Sequence, residues 1–376
     1  MSVHPLTPAR RAAALAALRG LAEGSPVAIV AEQHLGHDWA PVTRLTLDRE
    51  LPGIGDSVVV KTRRVDGSGH GGPAYLRREA SGLGYAGFSG VAARLLYVDP
   101  TADLTIQSDL GDWPTLQDLL LGSDAAAARA AMIEFGTALG RLHGGTLGLG
   151  PDDQPADGPE SAGLTYRYGI DRWYELERTC ADLELPSARP ARPDVEALLR
   201  RNREPSRADV LVHADLNPTN VVITDAGVRL IDFECSRFDR PGIDACFLLY
   251  PFPHHSNPWG VLPAEVITAA DAAYREAWQD YSRGVLLDDA VLTDGAAIVL
   301  IGRTLRLARL ADPDQSAQDR RRRRGQLRQQ IEVFLRLAEP TGHLTGLAAW
   351  FGDLAEAMVR RWPEAAGPWP LYPAFY

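Results

Sequence analysis

The chain contains a single lysine. Its 376 residues carry 39 basic side chains, and all but Lys61 are arginine. A high-GC genome produces such an excess of arginine, but it does not explain the one exception. Cysteine is also scarce. Cys180, Cys235 and Cys246 are odd in number and lack metal-like spacing. They exclude a disulfide framework and a cysteine-built zinc site, and they fit a reducing cytoplasm. No run of 18 or more apolar residues exists, which excludes a membrane-spanning helix. Positive charge is outnumbered, with a net charge of −10. That balance argues against a nucleic-acid partner and mildly favours a cationic small molecule.

What remains is an ordinary globular composition, 45% hydrophobic and 23% charged, in a chain long enough for two domains. The N-terminal stretch superficially suggests a signal peptide. Arg19 interrupts its apolar part, however, and no small-residue cleavage site follows a greasy core. It reads instead as an amphipathic helix from Pro8 to Leu21, with Thr7 as N-cap and Pro8 at the first helical position. "PVAIVAEQHLG", "APVTRLTLD" and "DSVVVKT" then read as strands. "GPAYLRREASGLGYAG" reads as a helix with Leu76, Glu79, Ala80 and Leu83 near one face. Two more apolar runs, "VAARLLYV" and "LTIQSDL", complete a five-strand pattern with one helix inside it. From "DAAAARAAMIEFGTALGRLHG" onward, helical patterns dominate. The organisation is a small β-rich lobe followed by a large, mainly helical one. The run Arg320–Arg324 reads as a solvated helix start.

The stretch "LVHADLNPTNVVITDAGVRLIDFE", from Leu211 to Glu234, carries the chemistry. "NVVI" and "VRLID" are short β-runs joined by "TDAG", a hairpin signal. A hairpin folds back on itself, so the reading brings Asn220, entering the first strand, beside Asp232, leaving the second. An amide oxygen and a carboxylate are hard ligands that suit Mg²⁺, which takes oxygen at about 2.0–2.1 Å and keeps waters and phosphates in its shell. Asp215, five residues before Asn220, can accept or orient a hydroxyl proton. Taken alone, D-x-x-x-x-N also fits a plain Asn-rich loop. The joint pattern is H-x-D-x-x-x-x-N, a hairpin, then D-F-E, and it favours catalysis.

"HADLNPTN" followed by "IDFE" resembles the catalytic and metal-binding loops of the aminoglycoside phosphotransferase and choline kinase superfamily, small-molecule relatives of protein kinases. "IDFECSRFDRPGIDACFLL", "GTALGRLHGGTLG" and "IQSDLGD" add to the resemblance, which extends from about Val27 to Trp278. It implies an α+β, bilobal, protein-kinase-like fold. A five-stranded antiparallel N-lobe with one helix would span 1–107. A C-lobe at 108–376 would hold the catalytic and metal loops (205–247) and a helical acceptor-binding part (148–204 plus 248–376). It also implies roles. Asp215 would be the base or hydroxyl-orienting carboxylate, Asn220 and Asp232 would hold Mg²⁺, and His213 would pack under the loop. Asp244 would tie the following segment to that loop. Glu234 would bind metal through water, contact the acceptor, or close a polar network.

The resemblance accounts for the lone lysine. Lys61 ends the strand from which this fold contacts the α- and β-phosphates, with Glu79 as its partner. A compact ammonium reaches where a planar guanidinium does not. The protein-kinase motif G-x-G-x-x-G is missing. "HLGHDWAPVTRL" has one glycine, Gly36, which leaves phosphate cradling to Gly36–Trp39. The purine of ATP or GTP would bond the backbone at Gln107, Ser108 and Asp109.

Residues 148–186 hold nine acidic residues against three arginines. Asp171 and Glu175, spaced i, i+4 with Trp173 and Tyr174 nearby, suit a cationic acceptor such as an amino sugar, or else form a solvated acidic helix. The proline-rich aromatic tail reads as packed on the body. Three functions stay open: phosphorylation of an aminoglycoside-like antibiotic or related natural product; a metabolic kinase for choline, a similar amine or a sugar; and a catalytically silent nucleotide- or ligand-binding module.

Overall fold

The structure, a computed structural model, describes residues 6–35, 42–62, 73–149, 170–203, 206–249 and 260–376. Gly36–Trp39, residues 150–169 of the acidic loop, and Tyr250, Phe252 and Trp259 lie outside the described residues. The chain forms two compact units, residues 1–114 with 222–237, and residues 115–221 with 238–376.

The first unit opens with helix α1 (Pro8–Leu21), where the Thr7 side chain accepts from the Arg10 amide, as the cap pattern predicts. Strands β1 (Ile29–Leu35), β2 (Val42–Leu51) and β3 (Gly55–Thr62) follow. Helix α2 (Pro73–Phe88) and strands β4 (Leu95–Asp99) and β5 (Leu104–Ser108) complete it. The five strands form one antiparallel sheet, ordered β1-β2-β3-β5-β4, so β3 lies at its centre. Alternation sends Val58 and Val60 to one face, into a core with Ala14 and Leu18 of α1 and with Leu45 and Ile106. Lys61 is thereby directed to the other face. Residues 222–237 pack with this unit. The expected hairpin forms from β7 (Val221–Thr224) and β8 (Gly227–Leu230). Its turn needs the left-handed backbone of Gly227 (φ 94°). Leu230 then bridges Ala92, and the turn at Phe233–Cys235 lies against α2.

The second unit is mainly helical. Its helices are α3 (Leu116–Leu121), α4 (Ala125–Thr146), α5 (Ile170–Asp182), α6 (Arg192–Arg203), α7 (Gly242–Leu249), α8 (Ala264–Tyr281), α9 (Asp289–Thr304), α10 (Leu307–Ala311), α11 (Ala317–Thr341) and α12 (Thr345–Arg361). A small sheet pairs β6 (Val210–Val212) with β9 (Arg237–Asp239). The tail packs on this unit: Tyr372 is buried, and its amide donates to the Val261 carbonyl at 3.1 Å.

The arginine run does start a helix, but it is not simply solvated. Arg322 pairs with Asp319 at 2.9 Å, and Arg324 is buried. Its Nε donates to the Leu310 carbonyl at 2.9 Å, and its guanidinium lies 4.4 Å over the Trp362 ring. A run of like charge in an acidic chain finds partners within the fold, which sequence spacing does not reveal. Among the described residues, no helix is long and apolar enough to cross a membrane.

Candidate active site

In the first unit, chemistry gathers around Lys61. Lys61 is 7% exposed. Its Nζ lies 3.0 Å from Glu79 Oε2 and 3.2 Å from Glu234 Oε2, and it also pairs with Asp232 Oδ1. Burial alone would lower its pKa. The charges of Asp232, Glu79 and Glu234 outweigh that and hold it well above the usual lysine value. Glu79 is 1% exposed, and its Oε1 has no hydrogen-bond partner among the described residues. Burial pushes its carboxyl up to about 7 against the pull of Lys61, with the Asp232 charge adding to the rise.

Close approach makes this cluster possible. A Cβ at Gly82 of α2 would overlap Ser236 Oγ and stand 2.8 Å from Phe233 Cβ. Glycine therefore lets the 233–235 turn lie directly on the helix that carries Glu79. Arg78 Nε donates to the Glu234 carbonyl at 3.0 Å, and Ser236 Oγ donates to the Arg78 carbonyl at 3.1 Å. Asp232 enters the turn with left-handed backbone (φ 71°, ψ 57°), a conformation that Asp tolerates better than most residues.

The expected purine edge lies at the end of β5. Ser108 cannot offer its amide, which donates to the Arg94 carbonyl at 2.9 Å. Gln107 lies inside the sheet, opposite Val59 on one side and Leu95 on the other. Asp109 follows the end of the strand, but its side chain is committed to Arg44, with Nε–Oδ2 at 2.6 Å and Nη2–Oδ1 at 3.1 Å. Burial would raise the Asp109 carboxyl. The hydrogen bonds from Arg44, the Gly111 amide and Ser57 overcome that and hold it below the usual aspartate value.

In the second unit, the loop after β6 carries Asp215, whose side chain is exposed. The loop is tied down from behind. The buried Asp244 carboxylate accepts from the His213 amide at 2.6 Å and the Ala214 amide at 2.9 Å, the tie expected of it. Ala214 is held at φ 63°, a strained position for a residue with a Cβ. His213 is fully buried, and its Nδ1 accepts from the Asp215 amide at 3.3 Å. Asn217 caps the short 3₁₀ turn Pro218–Asn220 through the Thr219 amide at 3.0 Å. Asn220 Nδ2 donates to the Asp215 carbonyl at 2.9 Å. Only the amide nitrogen can make that bond, so Oδ1 of Asn220 points away from it as an oxygen donor.

Asn220 in the second unit and Asp232 in the first each carry a hard oxygen of the kind that suits Mg²⁺. Three carboxylates face the single Lys61 ammonium, an excess of negative charge that a divalent cation complements. Among the described residues, no group of three His, Cys, Asp or Glu side chains could hold a metal by itself.

The acceptor expectation needs one correction. Trp173 is 1% exposed and packs edge-to-face on Trp350, with ring centroids 5.3 Å apart. It belongs to the core. Asp171 and Glu175 occupy the opposite, exposed side of α5, where Glu175 pairs with Arg172 at 2.7 Å. Sequence reasoning also missed Arg44, Arg78 and Tyr274. No motif marks them, because each finds its partner far along the chain.

A model of the phosphotransferase enzyme family (APH) matches residues 91–287, more than half of the chain. Among solved structures, choline kinase from Cryptosporidium parvum Iowa II is 13% identical over 91% of this chain and 100% of that one, with a TM-score of 0.52. A Ralstonia eutropha JMP134 protein, described as a candidate aminoglycoside phosphotransferase, is 19% identical over 87% and 98%, with a TM-score of 0.51. At these identities the likeness is one of fold, and it agrees with the α+β kinase-like fold that the motifs imply. Among curated proteins, none matches the sequence.

Proposed function

Because the chain belongs to the phosphotransferase enzyme family, we propose that it transfers the γ-phosphoryl group of a magnesium-bound nucleoside triphosphate to a hydroxyl of an amine-bearing small molecule, an aminoglycoside-like natural product or a related one. The observation that carries this reading is the buried Lys61, surrounded by Glu79, Asp232 and Glu234. A lone ammonium held charged in this way is suited to contact the α- and β-phosphates. In the reaction, the acceptor oxygen forms a bond to the γ-phosphorus while the bridging bond to the β-phosphate breaks. The nucleoside diphosphate leaves with the electron pair, and the acceptor proton goes to Asp215 or, through it, to water.

Each residue has a task. Lys61 offsets phosphate charge, and Glu79 holds Lys61. Asp215 orients the acceptor hydroxyl. Asn220 and Asp232 would hold Mg²⁺, which offsets charge on the β- and γ-oxygens when bound. Such transfer needs positioning and charge neutralisation more than covalent help. We assign the nucleotide phosphates to the first unit's Lys61 cluster, and the acceptor to residues 148–204 and 248–376. The exposed carboxylates of Asp171 and Glu175 favour a cation. The two solved structures named above are described for choline and for aminoglycosides, which are both cationic. The test is a panel of amine and sugar acceptors incubated with Mg-ATP and Mg-GTP and read by product mass. Failure of every acceptor, together with no nucleotide turnover, contradicts the reading.

A further inference from the structure

A buried chain of hydrogen bonds reaches the Asp215 loop from a residue that no motif singles out. Tyr274 of α8 is fully buried, and its hydroxyl lies 3.0 Å from Nδ1 of His143 on α4. The two rings meet edge-to-face at 5.7 Å. His143, also fully buried, places Nε2 at 3.4 Å from Oδ2 of Asp244. The same Asp244 carboxylate holds the His213 and Ala214 amides, immediately before Asp215.

The directions of these bonds follow from chemistry. Asp244 accepts from two backbone amides, so it acts as a carboxylate acceptor and His143 Nε2 must donate to it. Nδ1 is then bare and accepts from the tyrosine hydroxyl. Among the described residues, that hydroxyl has no other acceptor within hydrogen-bond reach. Burial, and after it the Asp244 charge, raises the Tyr274 hydroxyl well above the usual tyrosine pKa, so it keeps its proton.

The position of Tyr274 is fixed by a glycine seam. Gly136, Gly140 and Gly144 recur every four residues along one side of α4. A Cβ at Gly136 would overlap the Ala270 carbonyl oxygen. One at Gly140 would overlap that of Tyr274 itself, and one at Gly144 would stand 2.8 Å from that of Trp278. The backbones of α4 and α8 are thus in contact, and there is little room to shift the phenol relative to the imidazole.

We propose that Tyr274 is a positioning residue for phosphoryl transfer: its hydroxyl donates to Nδ1 and holds the His143 ring so that Nε2–H completes the Asp244 clamp on the loop bearing Asp215. The inference rests on the proposed role of Asp215. Without the hydroxyl, Nδ1 loses its donor and the His143 ring is free to turn Nε2–H away from Asp244. Asp244 then loses a donor, and the strained Ala214 backbone is held less firmly.

The test uses the full chain and Tyr274→Phe, which keeps the ring and its packing. Turnover is followed as hydrolysis of Mg-ATP with water as acceptor, and the His143 tautomer is read from ¹⁵N chemical shifts. The expected result has three parts. First, kcat falls about tenfold while KM for Mg-ATP is unchanged. Second, His143 is Nε2–H in the wild type, and its Nδ1 shift moves in the variant as the hydrogen bond to that nitrogen is lost. Third, Tyr274→Phe adds no further loss in a His143→Gln background, as residues acting in series require. A wild-type kcat in Tyr274→Phe overturns the proposal, and so does a His143 ring that is Nδ1–H or doubly protonated in the wild type. Asp215→Asn separates the two readings. If that variant turns over normally, the Asp215 assignment fails, while the tautomer measurement still decides whether Tyr274 sets the His143 ring.

Discussion

Lys61 Nζ stands 3.0 Å from Glu79 Oε2, and the other oxygen of that buried carboxylate has no hydrogen-bond partner among the described residues. Lysine fits this place because its charge is compact and its stem carries no planar fork. Arginine would have to seat five N–H donors among three carboxylates at fixed angles. Lys61→Arg is therefore expected to lower kcat/KM for Mg-ATP about a hundredfold, in line with the loss of one preorganised charge contact. Steady-state kinetics on the folded variant check it. Unchanged kcat/KM would mean that the exception among the basic residues is incidental.

Asp109 and Arg44 stabilise the first unit through a two-bonded ion pair with side chains 9% and 11% exposed. Asp109→Asn should cost about 2 kcal/mol at pH 7, the size of a charged hydrogen-bonded contact. The folded carboxyl is held below its usual value of 3.8, so its stabilisation is fully present above that pH. It is lost as pH falls through the folded value. Denaturant melts of wild type and variant should differ by a constant amount from pH 7 down to about 4 and converge below that. A gap that narrows between pH 7 and 5 would contradict this account of the pair.

The glycine seam of the second unit has little tolerance. Gly140→Ala places a methyl group against the Tyr274 carbonyl and should destabilise the protein by about 1–3 kcal/mol, although alanine is the better helix former. Gly352 of α12, with open space around its Cβ position, is the control, and Gly352→Ala should not destabilise. Urea titrations of both variants distinguish packing from helix propensity.

Trp173 and Asp171 lie two residues apart on α5 but do different work. Trp173→Ala should cost about 3–5 kcal/mol as a core truncation. Asp171→Asn should move stability by less than about 0.5 kcal/mol. Thermal melts compare the two. If Trp173→Ala were neutral, the Trp350 contact would not be part of the core.

Legibility in the sequence followed the range of the interactions involved. The start of the first helix was legible because Thr7 and Pro8 act within one turn. The Lys61 strand and the 221–230 hairpin were legible because β-branched runs and turn glycines are local signals. Trp173 was misassigned although the information was present, since residues two apart on a helix point to nearly opposite sides. The burial of Arg324 against Leu310 and Trp362 was missed because local patterns do not record such contacts. Tyr274 lies 131 residues from His143, in an alanine-rich helix with nothing to mark it.

The central claim is tested most directly by incubating the protein with Mg-ATP or Mg-GTP labelled at the γ-phosphate and a panel of amine-bearing alcohols, with Asp215→Asn run in parallel. The account predicts that at least one acceptor gains the labelled phosphoryl group with the wild type. It also predicts that transfer falls by about a hundredfold or more in the variant while nucleotide binding is retained. Equal transfer by both proteins would contradict it, as would nucleotide binding with no magnesium-dependent turnover of any kind.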